Sequence, residues 1–328
     1  MKKSLIKFLT FLLCTTLCFA VACTTPDDSG SGDGESGSNP PPNERVTVEE
    51  FESKIDALQG SETVKLDAGN FGVLSFKTGV DSGQLLNGKP LYVRELNDIT
   101  IEGKLDGTSK TSFLKTFKFE TMQTVNDQSI MVKTTIKTLK FKDLTFNENI
   151  KLILNYTTLE NSPIYIENLV FENVTINNFS MSNITGRHGV AIETNCGAIK
   201  NLLFTNSQVI NVNSQNASGI HFNDCQGIEK ITIQNSKISG INYNAVQVNK
   251  FRGELIIDSS NLSFTGSRIL RIDDVREGAK ITLTNNAFEA SGSEEVFKIS
   301  NIHPSTILTI SNNTLNGAEL TYDDYVLA

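Results

Sequence analysis

The six residues IQNSKI, from Ile233 to Ile238, place an Asn among apolar residues where neither a helix nor an unbroken strand would place it. The first and last residues of this hexad are apolar and the third is small and polar, which is typical of a strand, a sharp polar corner and a second strand. The chain contains seven such hexads. The other six are FKDLTF at Phe141, FENVTI at Phe171, FTNSQV at Phe204, IDSSNL at Ile257, LTNNAF at Leu283 and ISNNTL at Ile310.

The spacing of the hexads predicts a repeat architecture. Their third residues lie 24 to 33 residues apart, as in a solenoid whose turns vary in length. Val, Ile, Phe, Thr, Asn, Ser and Gly dominate the segments between hexads, which favours strands over helices. Asn tolerates the left-handed backbone region of a tight corner, and we expect its amide to bond to the corners above and below. The corner residues are Asp143, Asn173, Asn206, Asn235, Ser259, Asn285 and Asn312.

A third short strand accompanies each of the later hexads. It alternates apolar and polar residues, as a half-buried strand should. Three strands and their turns make one rung, so we predict an all-β chain that forms a right-handed parallel β-helix, a solenoid of about nine or ten rungs. The third strands are GVAIET at Gly189, GIHFND at Gly219, AVQVNK at Ala245, ILRIDD at Ile269 and VFKISN at Val296.

The hexads, together with DITIEGKLDG from Asp98 to Gly107, resemble the pectin lyase-like superfamily of right-handed parallel β-helices, which includes bacterial surface lipoproteins. The resemblance covers about Val64 to Leu320. It implies that ligands lie on the outer face of the strand that follows the long turn after the Asn corner. A shared fold does not specify an activity, so the resemblance leaves the reaction open.

The N-terminal residues predict export and lipid anchoring. Residues 1–22 have the lysines and the apolar run of a signal peptide. The AVAC sequence that ends at Cys23 resembles a lipobox, so we predict lipidation of Cys23; an ordinary secretory signal cut nearby is the alternative. Residues 23–44 are rich in Gly, Ser, Pro and acids, which predicts a disordered tether. We expect an outer-membrane lipoprotein that is exposed at the cell surface and contacts the membrane through its lipid only.

Residues 45–328 predict a single β-helix domain with a covered N-terminal end. Thr47 and Glu50 have the spacing of a capping box, and a helix over about 47–59 would cover the first rung. The segment GAELTYDDYVLA, from Gly317, is expected to cover the other end. The residues on the buried helix face would be Val48, Phe51, Ile55 and Leu58.

Charge and cysteine content limit the partners. From residue 44 onward the chain has 26 basic and 33 acidic residues, a formal charge of −7, which argues against nucleic acid as a partner. Cys196 and Cys225 each lie ten residues before a corner Asn. They would therefore be neighbours in successive rungs, either as a disulfide or as two stacked thiols. We find too few other ligands nearby for a metal site.

The outward positions of the third strands supply the candidate ligand site. Successive rungs lie about 5 Å apart, so these residues would form two polar ladders. Such a surface either binds polysaccharide, with Arg271 and Lys298 available for a carboxylate or sulfate, or is only a solvated face. Tyr243 lies just before one of the strands. The first ladder is His221, Gln247, Arg271 and Lys298, the second is Glu193, Asn223, Asn249 and Asp273, and Ala191 and Ser300 are further outward positions.

Evidence for catalysis in the sequence is weak. Lyases of the resembled superfamily use a Lys or Arg base and often Ca²⁺, and Lys250 and Arg271 are the candidates here. The order of GRHG at Gly186 and the Asp pair at Asp273 is the reverse of that in glycoside hydrolases of the fold. We therefore predict polysaccharide binding without catalysis or a cofactor. The alternatives are a lyase acting on uronic-acid glycans and a structural adhesin or spacer.

Overall fold

The computed structural model of the protein describes residues 44–325, apart from 73, 77, 87, 108, 111, 115–118, 121, 126–127, 148–149, 155–163, 180–188, 195–198, 213–216, 224, 226 and 292–295. The predicted signal peptide, Cys23 and the tether up to residue 43 lie outside the described residues. Most of the described chain is strand. Most of the strands belong to three sheets, and from Gln128 to Leu315 the chain visits these sheets in the same order.

The first sheet stacks nine parallel strands in chain order within the described part of the chain. Val80–Leu86 and Met122–Val125 add to it as antiparallel strands. The first residues of all seven hexads are consecutive register partners, from Phe141 opposite Phe171 to Leu283 opposite Ile310. The nine strands are Gly60–Lys65, Lys89–Glu102, Gln128–Lys142, Ile164–Glu172, Ile199–Thr205, Lys230–Gln234, Glu254–Asp258, Lys280–Thr284 and Ile307–Ser311.

The second sheet carries the last residues of the hexads, which are also register partners from Phe146 to Leu315. Its final strand is antiparallel and the others are parallel. The predicted stacking of hexads is therefore confirmed on both sides of the corner. The strands are Gly69–Phe71, Ser112–Leu114, Thr145–Phe146, Thr175–Phe179, Gln208–Val212, Lys237–Ile241, Asn261–Phe264, Ala287–Ala290, Thr314–Leu315 and Ala318–Glu319.

The third sheet contains the alternating strands, all of them parallel. Two further pairs of short strands, Leu74–Ser75 with Phe119–Glu120 and Leu105–Asp106 with Ser109–Lys110, lie outside the three sheets. The inward side chains of the sheets share one hydrophobic core, in which Phe141 stacks on Phe171 at 5.5 Å. The strands of the third sheet are Ile150–Leu154, Val190–Thr194, Ile220–Asn223, Asn244–Asn249, Arg268–Asp273 and Phe297–Ser300.

The corner residues adopt the predicted left-handed conformation. All seven third residues of the hexads have φ between 49° and 57°. The bonding between corners differs from the prediction. The Asn173 amide donates to Asp143 and the Asn312 amide donates to Asn285, but Asn206 and Asn235 are exposed to solvent. These two exposed corners interrupt the series, so the third residues do not form a continuous ladder within the described part of the chain.

The continuous ladder belongs to the fourth residue of each later hexad. The Val174 N–H donates to Ser207 Oγ at 2.9 Å, and the Ser207 N–H donates to Ser236 Oγ at 3.2 Å. In the same way, the Ser236 N–H donates to Ser260 Oγ, the Ser260 N–H to Asn286 Oδ1 and the Asn286 N–H to Asn313 Oδ1. These side chains are buried, so each of them satisfies a backbone donor that water cannot reach.

Replacing Asn286 by Ala is expected to lower the free energy of unfolding by about 2 kcal/mol. The change removes the acceptor of the buried Ser260 N–H and the donor, at 2.8 Å, to the Ile257 carbonyl. Urea unfolding measures the effect. Asn235→Gly is the matched control, because it alters an exposed third residue and keeps a residue that accepts positive φ, with an expected change within about 0.5 kcal/mol. Equal losses in the two variants would contradict a stabilising role for the fourth position.

The N-terminal helix is shorter than predicted. It runs from Phe51 to Ala57, whereas the sequence pattern predicted about 47–59. Residues 48–50 form a turn in which Glu50 accepts the Thr47 N–H at 3.0 Å, and Val48 is 40% exposed instead of lying on the buried face. The other predicted contacts, Phe51, Ile55 and Leu58, are buried. No helix in the described residues is long and apolar enough to cross a membrane.

The C-terminal segment packs against the core. Tyr322–Asp324 form a short 3₁₀ helix, in which Thr321 and Asp324 make reciprocal capping bonds. The Tyr325 ring then lies 4.6 Å from that of Phe297, and burial raises the pKa of Tyr325 to about 12. This segment therefore covers part of the core at its C-terminal end, as predicted for GAELTYDDYVLA.

Candidate functional site

The third sheet brings the predicted ladder residues into register. Gln247 is the partner of both His221 and Arg271, and Arg271 is the partner of Lys298. In the second ladder, Asp273 is the partner of both Asn249 and Ser300, and the Asn249 amide donates to Asn223 at 3.3 Å. Ala191 and Glu193 are the register partners of His221 and Asn223, but their side chains lie outside the described part of the structure.

Two residues of the first ladder, His221 and Gln247, are less exposed to solvent than the sequence predicted. Gln247 is only 9% exposed, because its Oε1 accepts hydrogen bonds from Asn244 at 2.8 Å and Ser218 at 3.3 Å. Burial lowers the pKa of His221 to about 4, and the positive charge of Arg271 adds to this effect. His221 is therefore neutral at neutral pH. Gln247 and the buried Nε2 of His221 therefore present little polar surface to a ligand.

Other residues of the two ladders line a cavity of about 630 Å³, which we call the third-sheet cleft. Five of the eight predicted ligand residues line it, and Tyr243 approaches it through a hydrogen bond from Arg271 Nη1 to Tyr243 Oη of 3.4 Å. The cleft combines three cationic side chains with two carboxylates. Its lining residues are Asn223, Asn249, Lys250, Arg271, Asp273, Asp274, Lys298, Ser300 and Asn301.

Arg271 is held in a fixed orientation at the centre of the cleft. Its Nε donates to Asp273 Oδ2 at 2.5 Å, and Ser300 Oγ donates to the other oxygen of the same carboxylate at 2.7 Å. Arginine has five N–H donors in a planar fork and stays charged in proteins. The contacts to Asp273 and Tyr243 use two donors, which leaves others for a carboxylate or sulfate in the cleft.

A second set of left-handed corners borders the cleft, and the sequence reading did not predict their conformation. Lys250, Asp274 and Asn301 follow the third-sheet strands with φ of 51°, 63° and 52°. The Lys250 N–H donates to the Asp273 carbonyl at 3.0 Å, and the Asp274 N–H donates to the Ser300 carbonyl at 3.1 Å. The signal that could have revealed them is the polar residue that directly follows the alternating pattern in AVQVNK, ILRIDD and VFKISN.

The geometry gives the catalytic candidates a limited role. Lys250 and Arg271 both line the third-sheet cleft, but Arg271 is ion-paired to Asp273 and so is a charged donor. A lyase base must instead accept a proton from the substrate. Within the described residues, no group of three or more His, Cys, Asp or Glu side chains could hold a metal ion.

The predicted cysteine pair is described on one side only. Cys225 is buried just after a third-sheet strand, where its N–H donates to the Asn249 carbonyl at 3.3 Å. Cys196 lies outside the described residues, so the disulfide remains a prediction.

The third-sheet cleft is thus a polar, positively charged concavity on a rigid sheet. Its side chains offer donors and acceptors but no metal cluster or nucleophile arrangement in the described chain. Any functional assignment has to come from this geometry, because no family model, no curated protein and no solved structure matches the chain.

Proposed function

We propose that the chain forms a right-handed parallel β-helix of the pectin lyase-like kind. Three parallel sheets visited in constant order, hexads in continuous register and seven left-handed corners support this reading. A solenoid of this kind stacks each repeat on its neighbours only, so one surface can carry the same type of side chain over several repeats. The third sheet has this property.

We further propose that the third-sheet cleft binds an acidic polysaccharide without turning it over. The observation that carries the proposal is the position of Lys250, Arg271 and Lys298 around one cavity. The whole chain has a formal charge of −8, so a local excess of cations is distinctive. A carboxylate or sulfate would pair with the free edge of Arg271 and with Lys298, and sugar hydroxyls would bond to Asn223 and Asn249.

The arrangement suits an extended ligand. Arg271 and Lys298 are register partners on neighbouring strands, about 4.8 Å apart along the stack. A polymer that lies along the stack can contact several repeats at once, whereas a compact ligand reaches only one or two. Each additional contact on the same sheet adds to the affinity without a new loss of overall translational and rotational freedom.

The proposed location follows from the sequence of the N-terminal region. Lipidation of Cys23 and a polar tether would hold the domain at the outer membrane, exposed at the cell surface. Polysaccharide is then an accessible partner, and nucleic acid is disfavoured by the acidic charge of the chain. The proposal involves no cofactor.

Changing both Arg271 and Lys298 to Gln is expected to weaken binding of a uronic-acid oligosaccharide at least tenfold. Hydrogen bonds to charged groups are each worth about 1.5–3 kcal/mol, and a tenfold change in Kd corresponds to about 1.4 kcal/mol. Calorimetric titration with uronic-acid, sulfated and neutral oligosaccharides of equal length measures the effect. Lys280→Gln is the matched control, because Lys280 is exposed on the first sheet.

Each outcome distinguishes the alternatives. Binding that is unchanged in the double variant, or absent with every glycan, removes the binding proposal and favours a structural adhesin or spacer. An increase in ultraviolet absorbance from unsaturated uronates during incubation with Ca²⁺ would instead show a polysaccharide lyase. In that case Lys250→Ala would be the next variant to assay.

A further inference from the structure

A second cavity lies beside the Asn corners, where the chain passes from the first sheet to the second. It has a volume of about 520 Å³ and we call it the corner cleft. None of its described lining residues also lines the third-sheet cleft. The residues that matter here are Lys110, Asn206, Gln208, Asn235, Lys237 and Asn261.

Lys110 reaches the corner cleft from a hairpin. The strands Leu105–Asp106 and Ser109–Lys110 pair with each other, and Lys110 Nζ then lies 3.3 Å from the Thr175 hydroxyl, 65 residues further along the chain. Burial lowers the pKa of Lys110 to about 8, against the opposing effect of the charge on Asp143. A half-buried ammonium whose direct contact is a hydroxyl is incompletely compensated.

Lys237 supplies a second cation. It begins the strand Lys237–Ile241, and its register partners are Gln208 and Asn261, both of which line the cleft. The Gln208 amide donates at 3.0 Å to the same Thr175 hydroxyl that Lys110 contacts. Lys110 and Gln208 therefore meet at Thr175, and Lys237 lines the same cavity from the strand next to Gln208.

The corner cleft contains two lysines that have no carboxylate within ion-pair distance among the described residues. Six other lysines, at positions 54, 104, 140, 142, 200 and 230, each lie within 3.8 Å of a carboxylate. Neither Lys110 nor Lys237 has such a partner among the described residues, and none of the described lining residues is acidic. An anion would complement these two charges, in addition to the Asp143 carboxylate that acts on Lys110.

The corner cleft also offers an unused acceptor. The Asn261 side-chain oxygen is buried and has no hydrogen-bond partner among the described residues. Asn206 and Asn235 project into the cleft from exposed corners of two successive repeats. A ligand that combines an oxyanion with hydroxyl groups would satisfy the lysines, the amides and this oxygen together.

We infer that the corner cleft is a second binding site, which takes an acidic sugar through its carboxylate or sulfate group. Lys110 and Lys237 bind the oxyanion, Asn206 and Asn235 donate to it or to neighbouring oxygens, and Asn261 accepts a sugar hydroxyl. The site is separate from the third-sheet cleft and does not depend on the function proposed there.

The test uses the Arg271→Gln, Lys298→Gln chain, so that the third-sheet cleft is disabled. Calorimetric titration with sulfated, uronic-acid and neutral oligosaccharides of equal length should show one remaining site for an acidic ligand and none for the neutral one. Adding Lys110→Gln or Lys237→Gln should weaken that site about tenfold, the effect of losing one charge-assisted bond. Adding Lys280→Gln should leave it unchanged. Lys237 is exposed, so its variant tests the site even where Lys110→Gln fails to fold.

Proton loss from Lys110 provides a second readout. With Lys237 in place, affinity should fall as the pH rises from about 7 to about 9, since the Lys110 ammonium, with its pKa of about 8 and with Asp143 nearby, becomes neutral. The fall should be absent in the Lys110→Gln background. No binding in the Arg271→Gln, Lys298→Gln chain, or binding that neither Lys110→Gln nor Lys237→Gln weakens, would overturn the inference while leaving the third-sheet proposal standing.

Discussion

Replacing Arg94 by Met is expected to destabilise the N-terminal helix by about 3 kcal/mol. The guanidinium of Arg94 is buried, and its Nη2 donates to the carbonyls of Ile55 at 3.0 Å, Asp56 at 3.1 Å and Leu58 at 2.7 Å. Ile55 and Asp56 belong to the last turn of the helix and Leu58 is its C-cap, where carbonyls lack the usual partners within the helix. The Ile55 carbonyl also accepts the Leu58 N–H at 3.4 Å, and the Asp56 carbonyl accepts the Thr78 hydroxyl at 2.8 Å. The positive charge of Arg94 also interacts favourably with the negative, C-terminal end of the helix dipole. Met fills much of the space but removes the charged donor shared by the three carbonyls, and with it the 2.7 Å bond to the Leu58 carbonyl.

The consequence should spread from the helix to the first strands. Phe51 lies 5.2 Å from Phe71, so loss of the helix exposes the core of the first repeat. Native-state hydrogen exchange should show faster opening of the helix and of Gly60–Lys65 than of the later strands. Arg276→Met is the control, because Arg276 forms an exposed ion pair with Asp274 at 2.7 Å that contributes less than about 1 kcal/mol. Similar exchange in both variants would show that Arg94 does not hold the helix.

The hexads were sufficient to predict the stacking of the repeats. A residue that tolerates positive φ at a fixed position between two apolar residues specifies a corner, and seven corners at similar spacing specify a stack. The register from Phe141 to Ile310 and the positive φ of every third residue follow that prediction. Apolar alternation was equally reliable for the third sheet, because period-two patterns identify the buried face of a strand directly.

Bonding within the corners could not be predicted in the same way. Asn206 and Ser207 are both small and polar, and only the backbone geometry decides which of them points inward. Ser207 is buried and bonded along the stack, whereas Asn206 is exposed. The length of the N-terminal helix was misjudged for a related reason. Thr47 and Glu50 do bond to each other, but in a turn that precedes the helix.

For the candidate sites, the sequence predicted which residues share a face of the third sheet but not how deeply each side chain is buried. Register placed Gln247 beside Arg271, yet Gln247 is buried. It accepts hydrogen bonds from Asn244, the first residue of its own strand, and from Ser218, which precedes the neighbouring strand. The corner cleft was missed entirely, because Lys110 arrives there on a hairpin that interrupts the repeat. Long-range contacts made by insertions leave no periodic signal in the sequence.

Replacing Gly266 by Ala is expected to destabilise the protein by at least about 3 kcal/mol. A Cβ on this glycine would lie 1.8 Å from the Asn242 carbonyl oxygen and 2.8 Å from the Tyr243 nitrogen. Both contacts are to backbone of the preceding repeat, which cannot rotate away. Gly266 is exposed, so its accessibility alone would suggest a harmless substitution. Urea unfolding measures the loss of stability.

The same substitution should reach the third-sheet cleft. The turn that holds Gly266 bonds to the preceding repeat through the N–H groups of Ser267 and Arg268, which both donate to the Tyr243 carbonyl. Displacing this turn moves Tyr243 away from Arg271, so glycan affinity should fall in whatever fraction of the variant still folds. Gly72→Ala is the matched control, since its Cβ would have no neighbour within 4 Å, and we expect a change within about 1 kcal/mol. Equal stability of Gly266→Ala and Gly72→Ala would show that the turn at Gly266 can move without disturbing the preceding repeat. Close stacking of the repeats would then not be what positions Tyr243 and Arg271.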